Sequence, residues 1–516
     1  MASSSAPGST RIESSSHWLT ASCFDLSIDS WINDVAATFL SVLLLALAAC
    51  GGESGSAPYS GSATLTGTLA YVVTECRENS AGFFFNQKLL VRQGEHDPIT
   101  VMAIPDIGPL PLPGYCGSWA RNRAGFTSAD FGVFQRLAVS PDGSEVVFEV
   151  TDAFSAVSAL LGGGFLPPEH TGFFFVRADG TGLRPLAPPS RQPAFGPPYI
   201  YLGSADLAFS PNGRMIAFPD LGPGPGSEEA SQIVVLQLAS GSRTQVTQLP
   251  PASPAPTAFP LPGGACLPSF LDDETVGFYT EADPGGLNPT GEMIFAMVNA
   301  DGSGGLTRPP SPVALPGSQI DPRFVITGGQ PAGIVLAVPG APVNPVLPGF
   351  QTIFEIFFYD GGQNLLQLTD FHRVDSWAFG GDARQRIFFV ASADPLGSNP
   401  SNNCQIFSIA SLGGDLRQLT QFHETDHATT PCTFGGRRPY GCFILPLARD
   451  ANTGALVFNS TCDPFGTNPN GEQYFVMGAA GAGLRQLTSA RGLVTEADGT
   501  VIGELPDPPA YSGLAR

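Results

Sequence analysis

The sequence predicts an all-β fold built as a β-propeller of four-stranded blades. Three observations carry this. One ending, Leu-Thr or Val-Thr, recurs at Val246-Thr247, Leu306-Thr307, Leu368-Thr369, Leu419-Thr420 and Leu487-Thr488. The segments that it closes align with one another, most clearly 368–420 with 419–488. Short apolar runs alternate with turn-forming residues throughout a 516-residue chain holding 62 Gly, 49 Pro and 37 Phe. Similarity at fixed phase marks a repeat architecture. Aromatic strands punctuated by Gly and Pro favour β structure over helix.

Residues 206–249 show how one unit is read. "DLAFS" is a first strand, and "PNG" a turn whose glycine can take a positive φ. "RMIAF" and "QIVVLQL" are the second and third strands, and "TQVTQL" the fourth after the turn "SGS". Units of this kind start near residues 65, 134, 204, 267, 322, 375 and 444. Seven blades is the leading count and six the alternative, because the first unit ("LAYVVTE") has no Leu-Thr ending. The stretch "GLVTEADGTVIGELP" (492–506) reads as a closing strand that pairs the last blade with the first and removes a free sheet edge.

Ser-Pro-Asp-Gly at 140–143, Ser-Pro-Asn-Gly at 210–213 and "LRQLT" at 416–420 and 484–488 resemble the TolB-like, WD40-like propeller repeat. The resemblance covers residues 65–505. It implies that the loops joining strands two and three share one face with the crossovers from strand four to the next blade. The Ser-Pro-Asp-Gly turns then lie on the opposite face.

On the loop-rich face the sequence offers three candidate sites. "ADPGGLNPTGE", "ADPLGSNPSNN" and "CDPFGTNPNGE" place Asp283, Asp394 and Asp463 at equivalent positions, each followed by Asn-Pro. Such residues brace their own turns by bonding nearby N–H groups. The alternative is a Ca2+ site. The second candidate is His423-Glu424-Thr425-Asp426-His427, an H-E-x-x-H pattern. Zinc peptidases need it on a helix. Here a strand ends just before it, and Thr429, Thr430 and Pro431 oppose a helix. Phe422-His423 repeats Phe371-His372, so the pattern is a by-product of the repeat. What survives is a metal set of His372, His423 and His427 near the propeller axis. The third candidate is the insert 428–446, where Cys432 and Cys442 are spaced for a disulfide and Arg437, Arg438 and Tyr440 form a basic, aromatic contact site. Cys404 and Cys462 fall together in adjacent repeats, and Cys76 is a partner for Cys116.

The N-terminus reads as an address. Residues 36–50, "AATFLSVLLLALAAC", hold an apolar run too short to span a bilayer, and their Leu-Ala-Ala-Cys ending resembles the bacterial lipobox. The expected division is a signal peptide over 1–49, a lipidated Cys50 and tether over 50–64, a propeller over 65–505 and a tail over 506–516. The acidic stretch before the apolar run departs from a signal n-region and points to a start downstream of Met1. Formal net charge is −21, which repels nucleic-acid phosphates and argues against a nucleic-acid partner. No G-x-S-x-G elbow occurs, which argues against an appended hydrolase domain. The expectation from sequence is therefore a non-catalytic binding propeller of the bacterial envelope. It would be lipid-anchored on the periplasmic side or outer membrane, recognise a protein or envelope polymer, and need no cofactor. The first alternative is a metal-dependent lyase or hydrolase using the axial histidines. The second is a structural envelope protein stabilised by Ca2+.

Overall fold

The computed structural model describes residues 63–110, 114, 116, 133–152, 166–191, 207–226, 228–251, 264–280, 282–288, 294–307, 323–327, 330–340, 353–359, 365–371, 377–381, 386–422, 444–450, 452–466, 472–506 and 512–514. The expectations for the signal segment and Cys50 fall outside these residues.

The protein is an all-β propeller. Six blades are built of consecutive strands, the count held as the alternative from sequence. The first blade pairs Phe134–Val139, Glu145–Val150, Gly172–Arg177 and Arg184–Ala187 in order. The second pairs Ala208–Phe209, Met215–Pro223, Glu229–Gln237 and Arg243–Gln245. The third has three strands, Ala265–Phe270, Thr275–Thr280 and Ile294–Asn299, and a bridge from Met297 to Thr307 stands in for the fourth. The fourth, fifth and sixth open with Arg323–Thr327, Trp377–Gly381 and Ile444–Arg449.

The first predicted unit is built differently. Thr68–Asn79 and Gly82–Gln93 pair over twelve residues, and the other edge of Thr68–Asn79 is taken by Val501–Pro506 and Ser512–Leu514. Gly492–Thr495 adds to Val501–Pro506. The two ends of the propeller are thus joined in one composite sheet. The expected closing strand at 492–506 is present, and it closes on the first unit.

Among the described residues the central strands bury both faces, because successive side chains on a strand point to opposite neighbours. In Glu145–Val150, Val146, Phe148 and Val150 pack toward Val72 and Leu89 of the composite sheet. Val147 between them packs toward Ile216 and Phe218 of the second blade. This is why the strands read as continuous apolar runs. Phe pairs recur at the centre of the blades: Phe148 on Phe174 at 5.6 Å, Phe389 on Phe407 at 5.7 Å and Phe458 on Phe475 at 5.6 Å between centroids. Each pair adds about 1 kcal/mol beyond its area burial.

On the turn face, Gly143 and Gly213 take φ of 73° and 71°. Ser140 Oγ donates to Asp142 at 2.6 Å, and Ser210 Oγ to Asn212 at 2.9 Å. The corresponding turn of the sixth blade reaches further. Asp450 is fully buried and accepts the N–H groups of Thr66 and Gly67, both at 2.7 Å, together with the Thr66 hydroxyl. It therefore fastens the start of the composite sheet to the last blade. Burial pushes the Asp450 carboxyl up, but the N–H groups of Thr453, Gly67 and Thr66 and the Thr66 hydroxyl bring it below its ordinary value. A lowered carboxyl stabilises the fold above its unfolded value and loses that contribution as pH falls through the folded one. Asp450→Ala is expected to cost about 2–4 kcal/mol in urea unfolding, because several N–H groups lose a charged acceptor. Asp450→Asn should flatten the loss of stability below about pH 4. Unchanged unfolding in both variants would contradict the fastening role.

Candidate functional site

The loop-rich face is organised by a side-chain clasp that recurs from blade to blade. A Gln of strand three meets the Thr two residues beyond strand four. In the fifth blade the Thr420 hydroxyl donates to Gln405 Oε1 at 2.7 Å and accepts the N–H of Ile406 at 2.9 Å. Gln405 Oε1 also accepts the Phe422 N–H at 3.0 Å, and its Nε2 donates to the Phe422 carbonyl at 2.9 Å. Gln232, Thr247 and Leu249 repeat this in the second blade. Gln473, Thr488 and Ala490 repeat it in the sixth. In the fourth blade Glu355 takes the Gln position beside Thr369. A second Gln, two residues before each Thr, donates to the Thr carbonyl: Gln245, Gln367, Gln418 and Gln486. The repeated Leu-Thr ending is thus a hydrogen-bonding device, which ties strand four and the exit toward the next blade to strand three.

The first blade solves the same problem with charges. Arg136 and Glu149, both fully buried, form an ion pair. Arg136 also donates to Ser190 Oγ at 2.7 Å and to the Pro219 carbonyl at 3.2 Å. Asp220 accepts the Arg191 N–H at 2.6 Å and lies 3.5 Å from Arg243, whose guanidinium sits 5.3 and 5.4 Å from the rings of Phe173 and Phe218. Burial raises the Asp220 carboxyl, opposed by the N–H groups of Arg191 and Leu221 and by the charges of Arg136 and Arg243. Burial lowers Arg243, opposed by Asp220 and Glu149. Sequence reading missed this cluster, because Arg136 and Glu149 stand in otherwise apolar strands and carry no repeat signal.

The Asp-Pro loops lie on three different blades. Asp283 accepts the Asn288 N–H at 2.6 Å, and Asp394 accepts the Asn399 N–H at 2.7 Å. The Asp463 carbonyl accepts the Gly466 N–H at 3.4 Å. The first two carboxylates brace their own turns, as the residue types imply. Among the described residues no group of three or more His, Cys, Asp or Glu is placed to hold one metal ion.

Cys76 and Cys116 form a disulfide with Cα atoms 5.6 Å apart, which ties the 107–116 segment to the composite sheet. Cys404 and Cys462 are each disulfide-bonded and share one core cluster of the fifth and sixth blades. His372, His423, His427, Arg437, Arg438, Tyr440, Cys432 and Cys442 lie outside the described residues. The residues that lead into two of these histidines are described. Phe371 packs 5.9 Å from both Phe389 and Phe407, and Phe422 packs 6.4 Å from Phe458.

No family model matches the chain, and no curated protein matches it. Solved structures do. A prolyl endopeptidase is similar at 11% identity and TM-score 0.43, over 91% of this chain and 60% of that one. An oligogalacturonate lyase from Vibrio parahaemolyticus is similar at 10% identity and TM-score 0.40, over 75% of this chain and 87% of that one. A TolB-like structure from Agrobacterium tumefaciens is similar at 11% identity and TM-score 0.30, over 85% of this chain and 99% of that one. This chain therefore spans less than two thirds of the endopeptidase. Likeness at these identities concerns the fold, and a TolB-like propeller is among the neighbours. One expectation is corrected. The similar solved structures are mostly enzymes, so the non-catalytic scaffold reading is not carried forward.

The clasp makes a prediction. Thr420→Val removes the hydroxyl shared by Gln405 and Ile406 and is expected to cost about 1–3 kcal/mol. Adding Gln405→Leu should cost much less than it does alone, with a coupling of about 1–2 kcal/mol in a double-mutant cycle read by urea unfolding. Additive costs would show that the two side chains act separately.

Proposed function

We propose that the protein is a metal-dependent hydrolase or lyase whose site lies on the loop-rich face, with His372, His423 and His427 as metal ligands. One observation carries this reading. His372 and His423 directly follow Phe371 and Phe422, two aromatic anchors in the same repeat phase on consecutive crossovers. Phe371 and Phe422 are equivalent packed positions on neighbouring blades, and the sequence places a His after each. His427 follows four residues later on the second crossover.

The chemistry of this donor set fits a borderline divalent cation such as zinc, and manganese only with oxygen ligands completing its shell. Neutral imidazole suits such ions, and three protein ligands leave positions for water and substrate. When bound, the ion would polarise a substrate oxygen or lower the pKa of a bound water. The rest of the proposal is export and anchoring. The apolar run ending at Cys50 directs the chain to the envelope, where Cys50 is lipidated and the Gly- and Ser-rich stretch after it serves as a tether. The Cys76–Cys116 disulfide supports an oxidising compartment. The substrate would be drawn from the envelope.

Elemental mass spectrometry of the purified mature protein, prepared without chelators, tests the site. Near-stoichiometric zinc or manganese is expected, and His423→Ala with His427→Ala should abolish it. A protein that retains neither metal after dialysis against each would overturn the reading.

A further inference from the structure

We propose that residues 491–506 form a detachable strap on the composite sheet, its docking weakened by a carboxylate set against a carboxylate. Gly492–Thr495 and Val501–Pro506 make a hairpin, which joins the sheet through one ladder, Val501–Pro506 on Val73–Glu78. In that ladder Glu75 and Glu504 are direct partners. Side chains so placed share one face of the sheet with Cβ atoms about 5 Å apart, and like charges there oppose pairing. Asn86 flanks Glu75 on its other side and Gly492 flanks Glu504, so no cation stands in this row.

The cations that answer these carboxylates stay on their own side of the joint. Lys88, the only lysine of the chain, places Nζ 2.7 Å from Glu75 Oε1, and both belong to the first hairpin. Arg491 donates from Nε to Glu504 at 2.9 Å and lies 3.9 Å from Glu496, and all three belong to the strap. Each carboxylate keeps its cation whether the strap is on or off. Among the described residues no ion pair joins strap to sheet. The hydrogen bond to Glu504 raises the Arg491 guanidinium above its ordinary value against burial, and the charge of Glu75 adds to this across the joint. That attraction offsets part of the repulsion, but the Arg491 side chain is 52% exposed and water screens it.

The other joints of this sheet are built the opposite way. Asp450 of the sixth blade accepts the N–H groups of Thr66 and Gly67. Arg485 of that blade pairs with Glu95, which also accepts the Leu65 N–H at 2.8 Å. Toward the first blade, Gln87 Oε1 accepts the Val133 N–H at 2.9 Å. Opening those joints breaks ion pairs or hydrogen bonds to charged and amide side chains. Beyond its ladder the strap is held by apolar contact: Leu505 is buried with Phe83, Phe85 and the Cys76–Cys116 disulfide, and Leu493 and Val501 pack against them. Ser512–Leu514 pairs with Leu69–Tyr71 separately, so a lifted strap leaves that part of the closure in place. It bares the edge of Val73–Glu78 and the apolar cluster beneath Leu505.

Residue-resolved amide hydrogen exchange on the full chain tests the proposal. Amides over 501–505 are expected to exchange together, about tenfold or more faster than those of Gly82–Gln93, which pair the other edge of the same strand. Glu75→Gln and Glu504→Gln should each slow the strap about threefold, and the double variant should be no slower than either alone. Asp106→Asn, at a carboxylate that pairs with Arg77 instead, should leave the strap unchanged. Exchange over 501–505 as slow as over Gly82–Gln93 would overturn the proposal. So would fast exchange that neither Glu→Gln variant slows, since the carboxylate pair would then have no part in it.

Discussion

The loop-rich face of this propeller depends on a buried amide–hydroxyl clasp. A blade made only of apolar strands would fix its sheet and leave its ends loose, because crossovers and hairpin loops bury little apolar area. Backbone groups entering such loops would still need partners once buried. The clasp answers both needs at one point. One Gln and one Thr satisfy one N–H of strand three and the N–H and carbonyl two residues beyond the Thr. Four blades use this arrangement, with Gln232, Gln405, Gln473 and the variant Glu355. Amides suit it because each presents a donor and an acceptor at fixed separation and carries no charge to desolvate.

The first blade shows what the alternative costs. Arg136 and Glu149 occupy full burial, where two charges lose their hydration and recover it only through good geometry and further hydrogen bonds. Ser190 and the Pro219 carbonyl supply some of those bonds. Removing one partner would strand the other in an apolar seam, so the pair specifies how the first and second blades meet. Asp450 does comparable work on the opposite face, where a single carboxylate gathers the start of the composite sheet.

Much of this was legible in the sequence. Strand composition, turn glycines and the Leu-Thr endings led to a propeller because each blade buries both its faces and must restart at a fixed phase. The closing strand at 492–506 was legible as a β run after the last ending. The Asn288 and Asn399 N–H groups donate to Asp283 and Asp394 within their own loops, a contact that Asp-Pro followed by Asn makes local in sequence. What was hidden had no local signal. Thr420 and Gln405 stand fifteen residues apart, and their partnership exists only once strands three and four pair. The first unit looked degenerate because two of its partners, Val501–Pro506 and Ser512–Leu514, come from far along the chain. Arg136 and Glu149 look like ordinary surface charges until both sheets close over them.

The most direct test of the clasp is residue-resolved amide hydrogen exchange on the wild-type protein. The N–H groups of Ile406 and Tyr474, which donate to the Thr hydroxyls, sit near the start of their strands, and those of Leu249, Phe422 and Ala490, which donate to the Gln amides, lie beyond the last strand of their blades. They should exchange as slowly as the central amides of the same blades. Exchange at loop-like rates would mean that the clasp does not hold the face together, and the account of how the crossovers are positioned would fail with it.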